Sequence, residues 1–286
     1  MRPVQDPTEI VVLDGTRRDH AGPVLPAGWP GVLRGEGIFE AFRVDRGVPT
    51  PLLAQHAARL RNSARLCGFD LGEHGLQQAL PEILPYLDAA APWRLRYTVL
   101  RRDDFGLARL WTAGRALPPP PSMTLALGEA RIDPHCPLAG AKTDSRMAYQ
   151  LARQRARAAG ADEALLRTIH GDLGEGTSTN LLLVFGGALH TPGLERGILG
   201  GVTRGALQAA CREAGIPFFE REMETGDLAA ADEVYVTSAV IGVVPATRIL
   251  GIRDDLPGQA GAMLAEVRAA YSAWRERLAP ARPNTP

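Results

Sequence analysis

The chain has 286 residues, 45% of them apolar and 22% charged, and its 32 basic and 32 acidic side chains cancel. That balance belongs to a soluble, well-packed protein and excludes disordered, collagen-like and coiled-coil chains. Zero net charge leaves no global field to gather nucleic acid or an anionic membrane, and no apolar run approaches a membrane span.

The N-terminus, MRPVQDPTEIVVLDG, lacks the basic start and apolar stretch of a secretion signal. Residues 9–13 read as a strand ended by a turn at Asp14-Gly15, and residues 37–44 (GIFEAFRV) as a second strand followed by the turn DRG. Leu53, Ala57, Leu60, Ala64 and Cys67 recur at helical spacing and predict a helix over 52–67, closed by Gly68. A second helix is expected over 74–88 although Pro81 interrupts it, then a strand over 93–100; residues 107–113 stay open between strand and helix.

The run GRALPPPPS (114–122) bars both helix and central strand. It divides the chain into a small N-terminal domain, 1–113, a proline-rich linker, 114–122, and a C-terminal domain, 123–286. In the latter, MTLALGEARI, EALLRTI, NLLLVF, IPFFERE and DEVYVTS read as strands, with NLLLVF turning at Gly186-Gly187 into ALHT. Asp144 or Ser145 is placed to cap a helix running to Gly160, residues 203–214 form a helix ended by Gly215, and a helix over 258–279 precedes a loose PARPNTP end. With no repeat and no complete dinucleotide fingerprint, the fold class is α+β in two domains.

Of the 32 Lys and Arg residues, 31 are arginine and one, Lys142, is lysine. Codon bias explains the general exchange, and on that view Lys142 is a remnant. The other reading is chemical: lysine can lose its proton and act as nucleophile or base, whereas arginine cannot. A phosphate-loop reading of Ala-Lys-Thr fails, because Cys136 and Ala141 stand where that loop needs glycine. The three cysteines, Cys67, Cys136 and Cys211, are odd in number and far apart, which speaks for a reduced, cytoplasmic setting and against a disulfide framework. The six histidines show no metal-ligand spacing, so no metal is expected, and none is assigned to catalysis.

Three further segments carry chemistry. GDLGEGTSTN (171–180) sets Glu175 among glycines and small hydroxyl residues. ILGGVTR (198–204) leads two glycines into a helix start, whose N–H groups and Thr203 hydroxyl suit an anion. Arg59 lies off the apolar stripe of its helix and alone reads as a solvated side chain. Together with Lys142 and in this order, GEGIFEAFRV, HAARLRNSARL, LAGAKTDSR, ADEALL, GEGTSTNLLLV, TPGLERGILGGVTR and ADEVYVTSAVIGVVPA resemble the fold-type IV pyridoxal-phosphate enzymes, the class-IV aminotransferase family.

The resemblance implies pyridoxal 5'-phosphate as cofactor, with Lys142 as the lysine that binds its aldehyde covalently. It implies Glu175 opposite the ring nitrogen, Leu199 against the ring face, and Arg59, Val202, Thr203, Ser238 and Ala239 around the phosphate. It also implies a homodimer acting on a small amino substrate, with no nucleic acid or membrane partner. Within the family, PHCPLAGAKTDSR (134–146) is most similar to the aminodeoxychorismate lyases, although Ser145 replaces their asparagine. Met147 stands where branched-chain aminotransferases place a tyrosine, and RRDDFGLAR lacks the histidine of D-amino-acid aminotransferases. The expected reaction is conversion of aminodeoxychorismate to 4-aminobenzoate and pyruvate. The alternatives are an aminotransferase for branched-chain or D-amino acids, or a non-catalytic binding protein on the same fold. Arg43, Arg101, Arg102 and Arg146 are candidates for substrate carboxylates, from charge and approximate location.

Overall fold

The computed structural model describes residues 8–22 and 24–279; residues 1–7 and the tail 280–286, read above as a loose end, lie outside them. The chain folds into two compact units: Met1–Pro118 with Ala141–Ser145, and Pro119–Gly140 with Arg146–Pro286. The first boundary falls within the proline run. The assignment of all of 123–286 to one domain needs correction for five residues, 141–145, which belong to the first unit.

The first unit holds β1 (Ile10–Leu13), β2 (Thr16–Arg18), α1 (Pro30–Leu33), β3 (Gly37–Asp45), β4 (Val48–Pro49), α2 (Leu53–Cys67), α3 (Leu76–Ala79), β5 (Trp93–Arg101) and β6 (Leu107–Arg115). Its antiparallel sheet runs β2-β1-β6-β5-β3-β4. Alternation sends Ile38, Phe42 and Val44 of β3 and Trp93, Leu95, Tyr97 and Val99 of β5 into one core with Ala57, Leu60 and Ala64 of α2. Residues 107–113, ambiguous alone, are strand because β6 pairs with β5 from Trp93↔Arg115 to Arg101↔Leu107. The helix expected over 74–88 is only the single turn α3 followed by 3-10 turns at Leu80–Glu82 and Leu84–Tyr86. Pro81 and Pro85 remove the N–H donors a continuous helix needs.

Segment 141–145 joins this unit through β3. Ile38 bridges Thr143 antiparallel, Phe39 N–H donates to Lys142 O at 3.0 Å, and Asp144 N–H donates to Gly37 O at 2.9 Å. Lys142 therefore lies opposite Phe39, and Asp144 opposite Gly37.

The second unit holds β7 (Met123–Ile132), α4 (Met147–Ala158), β8 (Glu163–Thr168), β9 (Leu173–Gly176), β10 (Asn180–Phe185), β11 (Ala188–Thr191), α5 (Val202–Ala214), β12 (Phe218–Glu220), α6 (Thr225–Ala230), β13 (Glu233–Ser238), β14 (Gly242–Ile249) and α7 (Ala262–Leu278). Its sheet runs β12-β11-β10-β13-β14-β7-β8-β9, and β9 also pairs with β10 through Glu175↔Asn180. That pairing closes six strands into a barrel around Leu125, Leu165, Leu173, Leu181, Val236 and Val244. The segment around Glu175 is strand β9. Two of its four residues are glycine, so it carries little strand signal of its own.

Neither Asp144 nor Ser145 caps α4, which begins at Met147 without a side-chain cap. Asp144 is drawn to Arg96, and Ser145 Oγ donates to Gly35 O at 3.1 Å. Among the described residues no helix is long and apolar enough to cross a membrane, and no group of three or more His, Cys, Asp or Glu could hold a metal.

Candidate active site

In the first unit the candidate side chains gather between α2 and β3. Glu40 lies on the core face of β3 with its side chain fully buried, and α2 lowers His56, Arg59 and Ser63 onto the same region. Arg59 grips Glu40 with a fork, Nε to Oε1 at 2.8 Å and Nη2 to Oε2 at 2.6 Å, the geometry in which arginine binds a carboxylate best. Its side chain is only 11% exposed, so the solvated reading is corrected: the buried face of α2 is wider than its apolar stripe. Burial alone raises the Glu40 pKa, but the Arg59 charge and hydrogen bonds, with His56, outweigh it and hold the carboxyl at about 2.

His56 Nδ1 lies 2.7 Å from Glu40 Oε2. Burial pushes the imidazole pKa down against the pull of Glu40. A neutral ring facing an ionised carboxylate carries its proton on Nδ1 and donates it there. Glu40, His56 and Ser63 were not singled out in the sequence. The signal was present: an acid at the core parity of β3, and polar residues at i, i+3 and i+7 of α2.

Ser63 reaches the lone lysine, its Oγ accepting the Lys142 N–H at 3.0 Å. With Lys142 O bound by Phe39 N–H, both backbone groups of this residue are fixed. Its Nζ lies 4.6 Å from the centroid of the Phe39 ring, on the sheet face opposite Glu40.

In the second unit Glu175 sits at the barrel seam, 6% exposed. Its Oε2 accepts the Leu199 N–H at 3.0 Å and Asn180 Nδ2 at 3.3 Å, while Asn180 Nδ2 also donates to Leu199 O at 2.9 Å. Asn180 ends a stretch quoted above but was not given a role. Gly201 is required beside it, since a Cβ there would collide with the Asn180 amide oxygen. Gly201 is also the N-cap of α5 and supplies no capping side chain. The N–H groups of Val202 and Thr203 open this 13-residue helix at its positive end. The buried Thr237 hydroxyl has no hydrogen-bond partner among the described residues. Ser238 Oγ accepts weak bonds from Val240 and Ile241 N–H at 3.4 Å, which fix the turn containing Ala239.

The four substrate arginines scatter. Arg43 stays on the Phe39 face, bonded to Asp45 and Leu117 O. Arg101 is tied to Glu36 and Gly68 O, and Arg102 to Asp103 in the β5–β6 loop. Arg146 belongs to the second unit, where it donates to Thr177 O and lies over the Tyr149 ring at 4.4 Å. Burial, reinforced by the Glu175 charge, pushes the Tyr149 hydroxyl up to about 12.

These donor sets fit a phosphorylated pyridine aldehyde. An arginine and an uncapped helix start suit a phosphate, a buried oriented carboxylate suits a protonated ring nitrogen, and a fixed lysine suits the aldehyde.

The chain matches the family model for amino-transferase class IV over residues 37–249. A putative branched-chain-amino-acid aminotransferase of Methanocaldococcus jannaschii is 30% identical over 238 residues, 77% of this chain and 81% of that protein. The aminodeoxychorismate lyase of Bacillus subtilis is 26% identical over 84% of this chain and 86% of its own length. The branched-chain aminotransferase of Thermoproteus uzoniensis, solved with norvaline, superposes with a TM-score of 0.82 at 23% identity over 95% of each chain. That likeness carries the fold, the α+β architecture of fold type IV. The chain belongs to the class-IV aminotransferases, a family of pyridoxal-phosphate enzymes.

Proposed function

We propose that the protein is a pyridoxal-phosphate-dependent lyase that converts 4-amino-4-deoxychorismate to 4-aminobenzoate and pyruvate, with Lys142 as its catalytic residue. The pyridoxal-phosphate chemistry rests on Lys142, the chain's one lysine, with its N–H on Ser63 Oγ and its C=O on Phe39 N–H. The choice of lyase within the family rests on the run from Pro134 to Arg146 and on Met147, 82% exposed where a branched-chain aminotransferase carries tyrosine.

The bound cofactor supplies an electron sink for the pair left when a proton leaves the substrate. Lys142 Nζ would hold the cofactor through its aldehyde carbon, and as a free amine would take the proton from the substrate ring carbon that bears the amine. The bond between the ring carbon and the ether oxygen would break, the oxygen leaving with the electron pair as enolpyruvate, which takes up a proton to become pyruvate, and the remaining ring would become aromatic. Glu175, oriented by Leu199 and Asn180, would keep the cofactor nitrogen protonated. Leu199 would also pack on the ring, and Arg59, Val202 and Thr203, with Ser238 and Ala239, would bind the phosphate. Glu40 orients Arg59 for that task.

A second reading, an aminotransferase, is favoured by the 30% identity to the Methanocaldococcus protein. Both readings need Lys142, so products must separate them. Incubation with aminodeoxychorismate is expected to release 4-aminobenzoate and pyruvate in equal amounts. Rapid amino exchange with a 2-oxo acid and no 4-aminobenzoate selects the aminotransferase. A homodimer in the cytoplasm completes the proposal, checked by light scattering and cell fractionation.

A further inference from the structure

Glu163, the first residue of β8, is 1% exposed. A carboxylate buried so deeply is costly unless donors surround it. Oε1 accepts the N–H of its neighbour Ala164 at 3.0 Å, the Thr177 N–H at 3.1 Å and the Thr177 hydroxyl, and Oε2 accepts the Ser178 hydroxyl at 2.7 Å. Apart from Ala164, these donors all belong to the turn that joins β9 to β10. The same turn is held from α4: Arg146 donates to Thr177 O, and Arg153 Nη1 donates to Ser178 Oγ at 3.3 Å. All of these residues lie in the second unit.

The turn has little else to fix it. Gly176 N–H donates to Thr179 O at 2.7 Å, and Thr177 N–H also reaches Ala164 O at 3.0 Å. A Cβ on Gly176 would collide with the Thr179 hydroxyl and come within 3.2 Å of Glu163 Cγ, so the turn closes directly onto the acid. Strand β9 is equally dependent on its surroundings. It meets β8 at Leu165↔Gly176 and Arg167↔Leu173 with an irregular register between them, and it meets β10 through Glu175↔Asn180. Glu175 and Asn180 are thus the residues that flank the clamped turn. Fixing Thr177 and Ser178 fixes where the Glu175 side chain starts and where the Asn180 amide meets it.

We infer that Glu163 is a positioning residue: its carboxylate anchors the β9–β10 turn and so aims Glu175 at the ring nitrogen of the cofactor. The inference rests on Glu175 as the partner of that nitrogen and adds what holds it there. Glu163 acts through Thr177 and Ser178, without contact with the reacting atoms. A carboxylate brings two acceptor oxygens to a place where the turn brings only donors. An amide at this position keeps one oxygen for Thr177, and the Ser178 hydroxyl can rotate to accept from its NH2 group. Glu163→Gln should therefore preserve most of the clamp, whereas Glu163→Ala removes the acceptor of a buried N–H and two hydroxyls.

The test uses holoenzyme carrying cofactor isotopically labelled at the ring nitrogen, whose magnetic resonance reports directly whether that nitrogen is protonated. The unaltered enzyme should show the protonated position. Glu163→Ala should shift the resonance toward that of the unprotonated ring and weaken cofactor retention about tenfold, read by equilibrium dialysis, while Glu163→Gln keeps most of both. A folded Glu163→Ala enzyme that keeps the protonated resonance overturns the inference even if it melts at a lower temperature, since a role confined to stability lowers the melting temperature alone. If Glu163→Ala does not fold, Thr177→Val, which takes one hydroxyl from the other end of the clamp, decides on the same terms. Glu175→Gln separates this inference from the reading beneath it. If that variant leaves the resonance unmoved, Glu175 is not the partner of the nitrogen and both fall. If it moves the resonance and Glu163→Ala does not, the role of Glu163 alone is refuted.

Discussion

In the first unit Arg59 is held by an opposite charge, the Glu40 carboxylate, in the dry space beneath α2. In the second unit Glu175 accepts hydrogen bonds from the Leu199 amide and the Asn180 side chain, and Val202 and Thr203 are presented by a helix start. A charge-held group responds strongly to pH and to loss of its partner, because an uncompensated buried charge is expensive. A group held by backbone and side-chain amides depends on backbone shape, so its weak point is a glycine.

The largest expected effect tests the purpose of the first arrangement. Lys142→Arg keeps the positive charge and removes the nucleophile, and turnover should fall by about a thousandfold or more. Mass spectrometry after borohydride reduction should find no cofactor on the peptide. Retention of both turnover and the adduct contradicts the assignment.

Next comes Glu40→Ala, which leaves Arg59 and His56 facing a void. A loss of about 3–5 kcal/mol in unfolding free energy is expected, read by urea denaturation. Glu40→Gln keeps the shape and should lose less. If Glu40→Ala unfolds at the same urea concentration as the parent, the charge-held half of the contrast is wrong.

Acid should also find this region first. Glu40 is held at about 2 against an ordinary 4.5, so its contribution is complete above pH 4.5 and disappears as pH falls toward 2. His56 acts in the same sense from a higher pH: its folded pKa lies below 6.5, so the unfolded chain gains a proton first and stability declines below about pH 6.5. The Glu40 share of the loss between pH 4.5 and 3 should be on the order of 2 kcal/mol, with Glu40→Gln flattening that limb. Parallel stability–pH curves for parent and variant speak against it.

The smallest effect belongs to the second unit. Gly201→Ala should push Asn180 off Glu175 and weaken cofactor retention about tenfold, about the worth of one hydrogen bond. Equilibrium dialysis reads it. Unchanged retention removes Asn180 from the account.

Much of the fold could be read locally. The spacing of Leu53, Ala57, Leu60 and Ala64 marks α2, and Gly68, in the left-handed conformation, ends it. The proline run lies at the boundary between the two units. Strand β9 escaped notice: it has two glycines in four residues, and only its partners β8 and β10 make it a strand. Pro81 and Pro85 outweighed the apolar periodicity over 74–88. At the site, Arg59 and Glu175 were named from motif order, whereas Glu40, His56, Ser63, Asn180 and Glu163 were not. Each of these is polar in a segment whose apolar pattern already accounts for it, and its partner lies far away along the chain.

The sequence by itself determined that one amine among many guanidiniums stands in an ordered series of family motifs, because residue identity and spacing are local properties. It could not say that residues 141–145 would pair with β3, that β9 would close a barrel on β10, or that Glu163 would reach the turn at Thr177 and Ser178. Those outcomes depend on strand register, and a shift of one residue would turn every side chain of a strand to the opposite face.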